Sequence, residues 1–461
     1  MVKVKVLVRD INSNPDDEGY LNGIQSAVEE IFDTLGGSEL LKSSNDVYIK
    51  PNGIDSKPYA YTRPEVVEAV IKYFFSNGAN KIYLMENSTQ ANYTRIVYEA
   101  IGYKKICKET GAIPVYLDEQ KAETLEFEGK DRSSHDPNGY DKKTFEMPKI
   151  VVNKLIRGKN ENLYINLPKL KTHSMGVVTL GIKNQWGFPM HYARKFDHNF
   201  NLHHKLVDVL SHIQPDVTLI EGIEGTIHGH YPLVSQHEKV IIPFRVMIAS
   251  RNVVATDMVG AQVFGIPYEE VPAIKIAIEE GLSGGVYGSE DLEIDGDLSR
   301  FTERYDFDII QEFPPNVNIV KGSELLCREG CLNNPLMSLQ ILHQDYGGRG
   351  KCDLVIGKGH NLDIIDNLEG PVVIAGHCAI EEVGNRLVQR LGKKHVFLSD
   401  GCNNLSQTII GLGRYMGVNL LKLVPLSPIK SIILLIQAKL HGSHSNVPSL
   451  LSMLKPYKVK Y

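Results

Sequence analysis

Six cysteines in 461 residues are too few for a disulfide scaffold, so the thiols are expected as core groups, metal ligands or redox groups. No basic excess exists: 50 Lys and Arg face 55 Asp and Glu, a net charge of −5, which argues against a general nucleic-acid binder. The amino terminus, 1–10, alternates apolar and basic residues and lacks the unbroken apolar core of a signal peptide. No apolar run approaches the length of a membrane span; 432–436 is the longest near the carboxyl end. These absences give the expectation of a cytoplasmic chain with no membrane span. No period of 20–50 residues repeats, which excludes solenoids. The glycine-rich pieces 347–350 and 357–359 lack both the dinucleotide fingerprint and phosphate-loop spacing.

What is present is 42% hydrophobic and 23% charged residues, the composition of a large globular core. Short β-type runs alternate with amphipathic helical stretches, the pattern of an α/β protein with a largely parallel sheet. Residues 47–49 read as a strand, Pro51-Asn52-Gly53 as a turn, and Thr62-Arg63-Pro64 as a helix start with Thr62 as N-cap. Val66, Val67, Val70, Ile71 and Phe74 form that helix's apolar stripe, and 81–85 is the next strand. Residues 129–147 are polar and turn-rich, as in a surface insertion. Further strands are expected at 163–167, 216–220 and 245–249, with helices at 253–264 and 271–280. Composition shifts near 312–315. The expected division is a larger α/β region, 1–320, and a smaller α/β domain, 321–461, with strands at 353–356, 372–375 and 395–398. The tail, 435–461, reads as a packing helix that ends in basic residues.

The densest chemistry lies between 167 and 187. Lys169, Lys171 and His173 alternate, so on an extended chain they share a face, and Lys183-Asn184 follows a glycine-containing turn. Convergent ammonium groups would hold a carboxylate or phosphate, and mutual repulsion would lower lysine pKa values. The same charges would also suit a solvated loop. Lys50-Pro51-Asn52 and Glu86-Asn87-Ser88 fall at carboxyl ends of strands, and Arg63 at a helix start, where open α/β sheets bind ligands. Capping alone would also account for them. Seven of the sixteen histidines fall between 191 and 230, without a standard metal-ligand spacing. Glu221 and Glu224 flank one turn and could act as acid, base or ligand. Cys378 and Cys402 each follow a strand and precede a helix, a position that favours thiolate. With Cys327 and Cys331 they could complete four ligands to a 4Fe–4S cluster or zinc. Buried core thiols would look the same.

The ordered series Lys50-Pro-Asn, Thr62-Arg-Pro-Glu-Val-Val, Pro168-Lys-Leu-Lys-Thr-His173, Lys183-Asn184 with Gly187, Glu221-Gly222 and Ala255-Thr-Asp257 resembles the domain of unknown function 362 family over about residues 45–285. The family usually has Asp where this chain has Glu221. Members sometimes accompany iron–sulfur domains, but the Cys-x2-Cys-x2-Cys run of those domains is missing here. The segment 376–382 looks like a carboxy-terminal element of some members. A weaker likeness is to the nickel-pincer lactate racemase family, in a Thr-Arg-Pro helix start and a His followed ten residues later by a Lys, here His173 and Lys183. That likeness implies an active site between two α/β lobes, lined by Arg63, Lys169, Lys171, His173 and Lys183.

The expected function is a metal- or iron–sulfur-associated enzyme or oxidoreductase, with a redox partner, acting on a small anion. In it Arg63, Lys169, Lys50, Asn52 and Asn184 bind substrate, and His173, Lys183 and Lys171 carry catalysis. The alternative is a non-catalytic anion- or metal-binding assembly protein with structural zinc or buried thiols.

Overall fold

The computed structural model describes residues 3–11, 17–126, 144–445 and 447. Its main sheet runs, edge to edge, through Leu292–Asp295, Val4–Asp10, Val246–Ser250, Val217–Thr226, Asn162–Leu167, Asp46–Pro51, Ile82–Glu86 and Ile113–Tyr116. The protein is α/β, as its alternating pattern indicates, and the sheet is mostly parallel. Val246–Ser250 is the reversed strand, pairing antiparallel with both neighbours at Leu7↔Ala249 and Leu219↔Ala249.

Period-two alternation divides the core. Val47, Ile49, Leu163, Ile165, Val217 and Leu219 pack on one face with helix Pro64–Ser76. Tyr48, Tyr164, Ile220 and Ile248 point to the other, under helices Leu202–His212 and Val253–Val263. Both faces are covered, which is why these strands read as nearly continuous apolar runs.

Pro64 opens its helix as expected. Thr62 does not cap it. Its hydroxyl accepts from Asn52 N and donates to the Leu167 carbonyl, tying the turn after one strand to the end of the next.

The second sheet is four-stranded and wholly parallel: Val317–Lys321, Cys352–Ile356, Val372–Ala375 and Val396–Ser399. Its first strand begins at Val317, ahead of the expected boundary after 320, because the composition shift at Pro314-Pro315 marks the entry to that strand. The carboxy-terminal helix, Pro428–Leu440, leaves the second unit and returns to the first, where Leu434 and Ala438 pack on Tyr93 and Ile96. Of the expected insertion 129–147, residues 127–143 lie outside the described residues, and Thr144–Pro148 forms a strand against Ala122–Glu126. Among the described residues no helix is long and apolar enough to cross a membrane.

Candidate functional site

The strands Asp46–Pro51, Ile82–Glu86 and Asn162–Leu167 are parallel neighbours, so their carboxyl ends open on one place. The strand Lys169–His173 branches there, pairing with Val217–Thr226 on one side and Val177–Thr179 on the other. The short helix Gly181–Asn184 closes the floor. Asp257 holds its first turn, accepting from Gly181 N at 2.6 Å and Ile182 N at 2.8 Å. The second unit supplies the roof through Asn334, Met337, Asn403 and Leu405. The cavity has a volume of about 90 Å3. It has room for roughly three waters at liquid density.

Cationic side chains dominate its wall. Lys50 is buried and paired with Glu86 at 2.9 Å. The other Glu86 oxygen accepts from Gly53 N, so this pair is satisfied from several sides. Lys171 is buried and donates to Asn52 Oδ1 at 3.0 Å and the Ala60 carbonyl at 2.8 Å, both neutral acceptors. Arg194, which sequence reasoning missed, is buried and donates to the carbonyls of Asn87, Ser88, Gly187 and Pro189. Lys183 is half-buried and lines the cavity. Among the described residues no carboxylate lies within ion-pair distance of Lys171, Lys183 or Arg194. Burial pulls the Lys171 ammonium down to about 7, helped by the charges of Lys183 and Lys169. Burial, then Arg194, brings Lys183 to about 7 as well. Arg194 is lowered by burial only to about 10, so it stays charged at neutral pH.

An amide relay fixes these groups. Asn184 donates to Asn166 Oδ1 at 2.8 Å and accepts from Asn52 at 3.0 Å, while Asn52 receives Lys171. Each amide orientation is dictated by the next.

Three histidines share the wall. His173 and His230 stack with centroids 3.8 Å apart and planes 5° from parallel. His173 Nδ1 accepts from the backbone N–H of Met175 and Gly176 at 3.1 and 3.2 Å. Its proton therefore sits on Nε2, and the neutral ring is a donor there. His198 has the opposite arrangement: its Nδ1–H donates to the Glu329 carbonyl, leaving the Nε2 lone pair available. Burial holds all three well below the usual histidine value, with His230 first among the charges acting on His173 and Lys183 first on His198. Asn87 Oδ1, Thr179 Oγ1, Trp186 Nε1, His230 Nδ1 and Asn334 Oδ1 are buried around the same cavity without a hydrogen-bond partner. Buried polar atoms in that state mark where a ligand or water would sit.

Of the residues expected here, Lys50, Asn52, Lys171, His173, Lys183 and Asn184 meet at the cavity. Arg63 and Lys169 do not. Lys169 lies fully buried across from Glu221 in the strand register and donates to both its oxygens at 2.9 and 2.8 Å. Arg63 binds Glu224 with two nitrogens, the Nε contact at 2.7 Å, and its backbone N–H donates to Glu221. Two carboxylates thus consume both cations outside the cavity, which corrects their expected role in binding substrate. Glu221 and Glu224 are those partners, and the additional methylene of Glu221 lets it span Lys169, Arg63 N and Ile223 N together. Arg194 and His198 were missed because nothing local separates them from other basic residues of a polar stretch. His198 was noted only as one of a histidine-rich segment.

The cysteines are thiols, none in a disulfide. Cys327 and Cys331 are in side-chain contact, and that contact, with burial, pushes the Cys327 thiol up. Cys378 and Cys402 follow adjacent parallel strands, as expected. A methyl group on Gly376 would lie 2.9 Å from Cys331 Cβ, and one on Gly330 would lie 3.4 Å from Cys402 Cβ. The four cysteines therefore gather at one end of the second sheet. Among the described residues, however, no group of three or more His, Cys, Asp or Glu side chains is arranged to hold a metal ion.

A thylakoid-associated protein of Synechocystis sp. is 25% identical over 269 residues, covering 56% of this chain and 75% of its own. A crystal structure of a Thermotoga maritima protein aligns with 85% of this chain and 82% of its own at a TM-score of 0.37 and 11% identity. Residues 47–262 match the family model described as Domain of unknown function (DUF362), and the lysine- and histidine-bearing wall of the cavity lies wholly within that DUF362 segment.

Proposed function

We propose that this protein is an enzyme that binds a small carboxylate or phosphate in the cavity between its two units and transfers a proton on it. The observation that carries this reading is the meeting of Lys171, Lys183 and Arg194 at one cavity, with no carboxylate among the described residues paired to any of them. Buried charges are normally paired, so an unpaired arginine and two lysines whose charge burial suppresses call for an anion. Arg194 and the two lysines hold it. His173 donates from its Nε2–H, and His198 takes a proton on Nε2. Lysines with pKa values of about 7 can serve as acid or base at neutral pH.

The test is calorimetric titration with acetate, glycolate and inorganic phosphate, followed by deuterium uptake from D2O at the carbon next to the carboxylate. Binding of at least one of these anions, weakened tenfold or more in Lys183→Met, is expected. Exchange should be lost in His198→Gln. A protein that binds none of them refutes the anion site. Binding without exchange refutes the proton transfer and leaves an anion-binding protein.

The contact between Cys327 and Cys331, with Cys402 packed beside Gly330, favours a second reading in which the thiols take zinc or an iron–sulfur cluster. A cluster would also call for a redox partner. Metal and labile sulfide measured after anaerobic purification decide this. Stoichiometric metal that is lost in Cys327→Ser/Cys331→Ser supports the reading, and its absence from the unaltered protein removes it.

A further inference from the structure

The carboxy-terminal helix Pro428–Leu440 carries two apolar faces, and only one is used. Ser431, Leu434 and Ala438 are buried against the first unit. On the opposite side Ile429, Ile432, Ile433, Ile436 and Leu440 recur at three- and four-residue spacing and are 46% to 81% exposed. At 100° per residue they fall in one stripe about 100° wide. Lys430 and Lys439 fall on its two flanks, both exposed. The helix packs as expected, but the buried side alone accounts for less than half of its large aliphatic residues.

Charge says what the stripe faces. After Asp400 the chain contains no Asp or Glu, yet seven Lys or Arg, three of them in the last seven residues. The rest of the chain is acidic enough to bring the total to −5. Glu99, the acid against this helix, is held between Lys430 at 2.5 Å and Lys104 at 3.0 Å. An aliphatic stripe with lysines on both flanks lets the lysine stems lie along the apolar surface while the ammonium groups reach anionic headgroups. A protein partner would need an acidic rim around an apolar groove. A lipid surface supplies both layers over any length.

We propose that the helix Pro428–Leu440 docks the protein on an anionic lipid surface, lying in the interface plane. At 13 residues it is about 20 Å long, too short to span a bilayer. The cavity residues lie elsewhere, so the docking is separate from the site described above.

The experiment is flotation of the full chain with vesicles of phosphatidylcholine containing about one-third phosphatidylglycerol, and with phosphatidylcholine alone. The expected result is at least tenfold stronger partition onto the anionic vesicles, reduced severalfold by high salt. In Ile432→Asp/Ile436→Asp binding should be lost with an unchanged circular dichroism spectrum, since both side chains point to solvent. A protein that stays monomeric and ignores anionic vesicles overturns the proposal. So does one that ignores vesicles but self-associates through the stripe, with the dimer lost in the same double variant. Equal partition onto both vesicle types also overturns it, since charge would then play no part.

Discussion

Filling the cavity with a monocarboxylate should draw protons from solution. At pH 7 a group with a pKa of about 7 is half protonated, so Lys171 and Lys183 together hold about one proton when the cavity has no anion. An anion about 4 Å from each ammonium interacts by roughly 4 kcal/mol at an effective dielectric constant near 20. That corresponds to about three pKa units at 1.36 kcal/mol each. Even a two-unit rise leaves both lysines protonated at neutrality. Net uptake is then about 0.2 proton at pH 6, about 1 at pH 7 and about 1.6 at pH 8. Because binding consumes protons, affinity is nearly flat near pH 6 and falls by about one decade or more per pH unit above 7. The assay is calorimetric titration with acetate or glycolate in two buffers of different ionisation enthalpy. Lys183→Met should roughly halve the uptake. Uptake below about 0.2 proton at both pH 7 and pH 8, or uptake unchanged in Lys183→Met, refutes the assignment of these lysines as the anion's partners.

Acid should unfold the protein through its histidines. His173, His198 and His230 stay neutral in the fold, held well below the usual value of 6.5, and become ordinary on unfolding. Their contribution is fully present above about pH 6.5 and is lost as pH falls, at up to about 4 kcal/mol per unit for the three together. Denaturant melts that are flat from pH 6.5 to 5 would contradict this. Gly187→Ala should cost about 1–3 kcal/mol and weaken anion binding, because its methyl group would stand 2.7 Å from both Lys50 Nζ and Glu86 Oε1. Unchanged melting and binding would show that the pair yields freely. Lys169→Met should lower stability by about 3–5 kcal/mol by leaving Glu221 buried and unpaired. It should leave anion affinity within about twofold, and a tenfold loss in the folded variant would return Lys169 to the binding site.

The α/β plan was legible in the sequence because buried parallel strands and amphipathic helices leave periodic apolar marks. The reversal of Val246–Ser250 was not, since a strand buried on both faces reads the same in either direction. At the site, a strand, a tight return and one helical turn bring His173 and Lys183 to one wall. The alternation of Lys169, Lys171 and His173 marked only part of that wall. A shared face of a strand is not a shared environment, because Lys169 meets its cross-strand partner Glu221 before the chain reaches the cavity. Arg194 had no pattern at all, since its ligands are carbonyls of two chain segments about a hundred residues apart, 87–88 and 187–189.

That contrast explains how the cavity stays cationic in an acidic protein. Four carboxylates near it are already committed: Glu86 to Lys50 and two backbone donors, Glu221 and Glu224 to Lys169 and Arg63, Asp257 to the helix that carries Lys183. Lys171, Lys183 and Arg194 are left with neutral amides, carbonyls and the cavity itself. Such an arrangement destabilises the fold when nothing is bound, and lysines driven down to about 7 are its visible sign. On the proposed reading the same free energy would be recovered when an anion enters, which would make ligand affinity and proton uptake two readings of one electrostatic imbalance. The Lys169–Glu221 pair is the counterexample within the same fold: a fully compensated charge pair, equally buried, has nothing left to give a ligand.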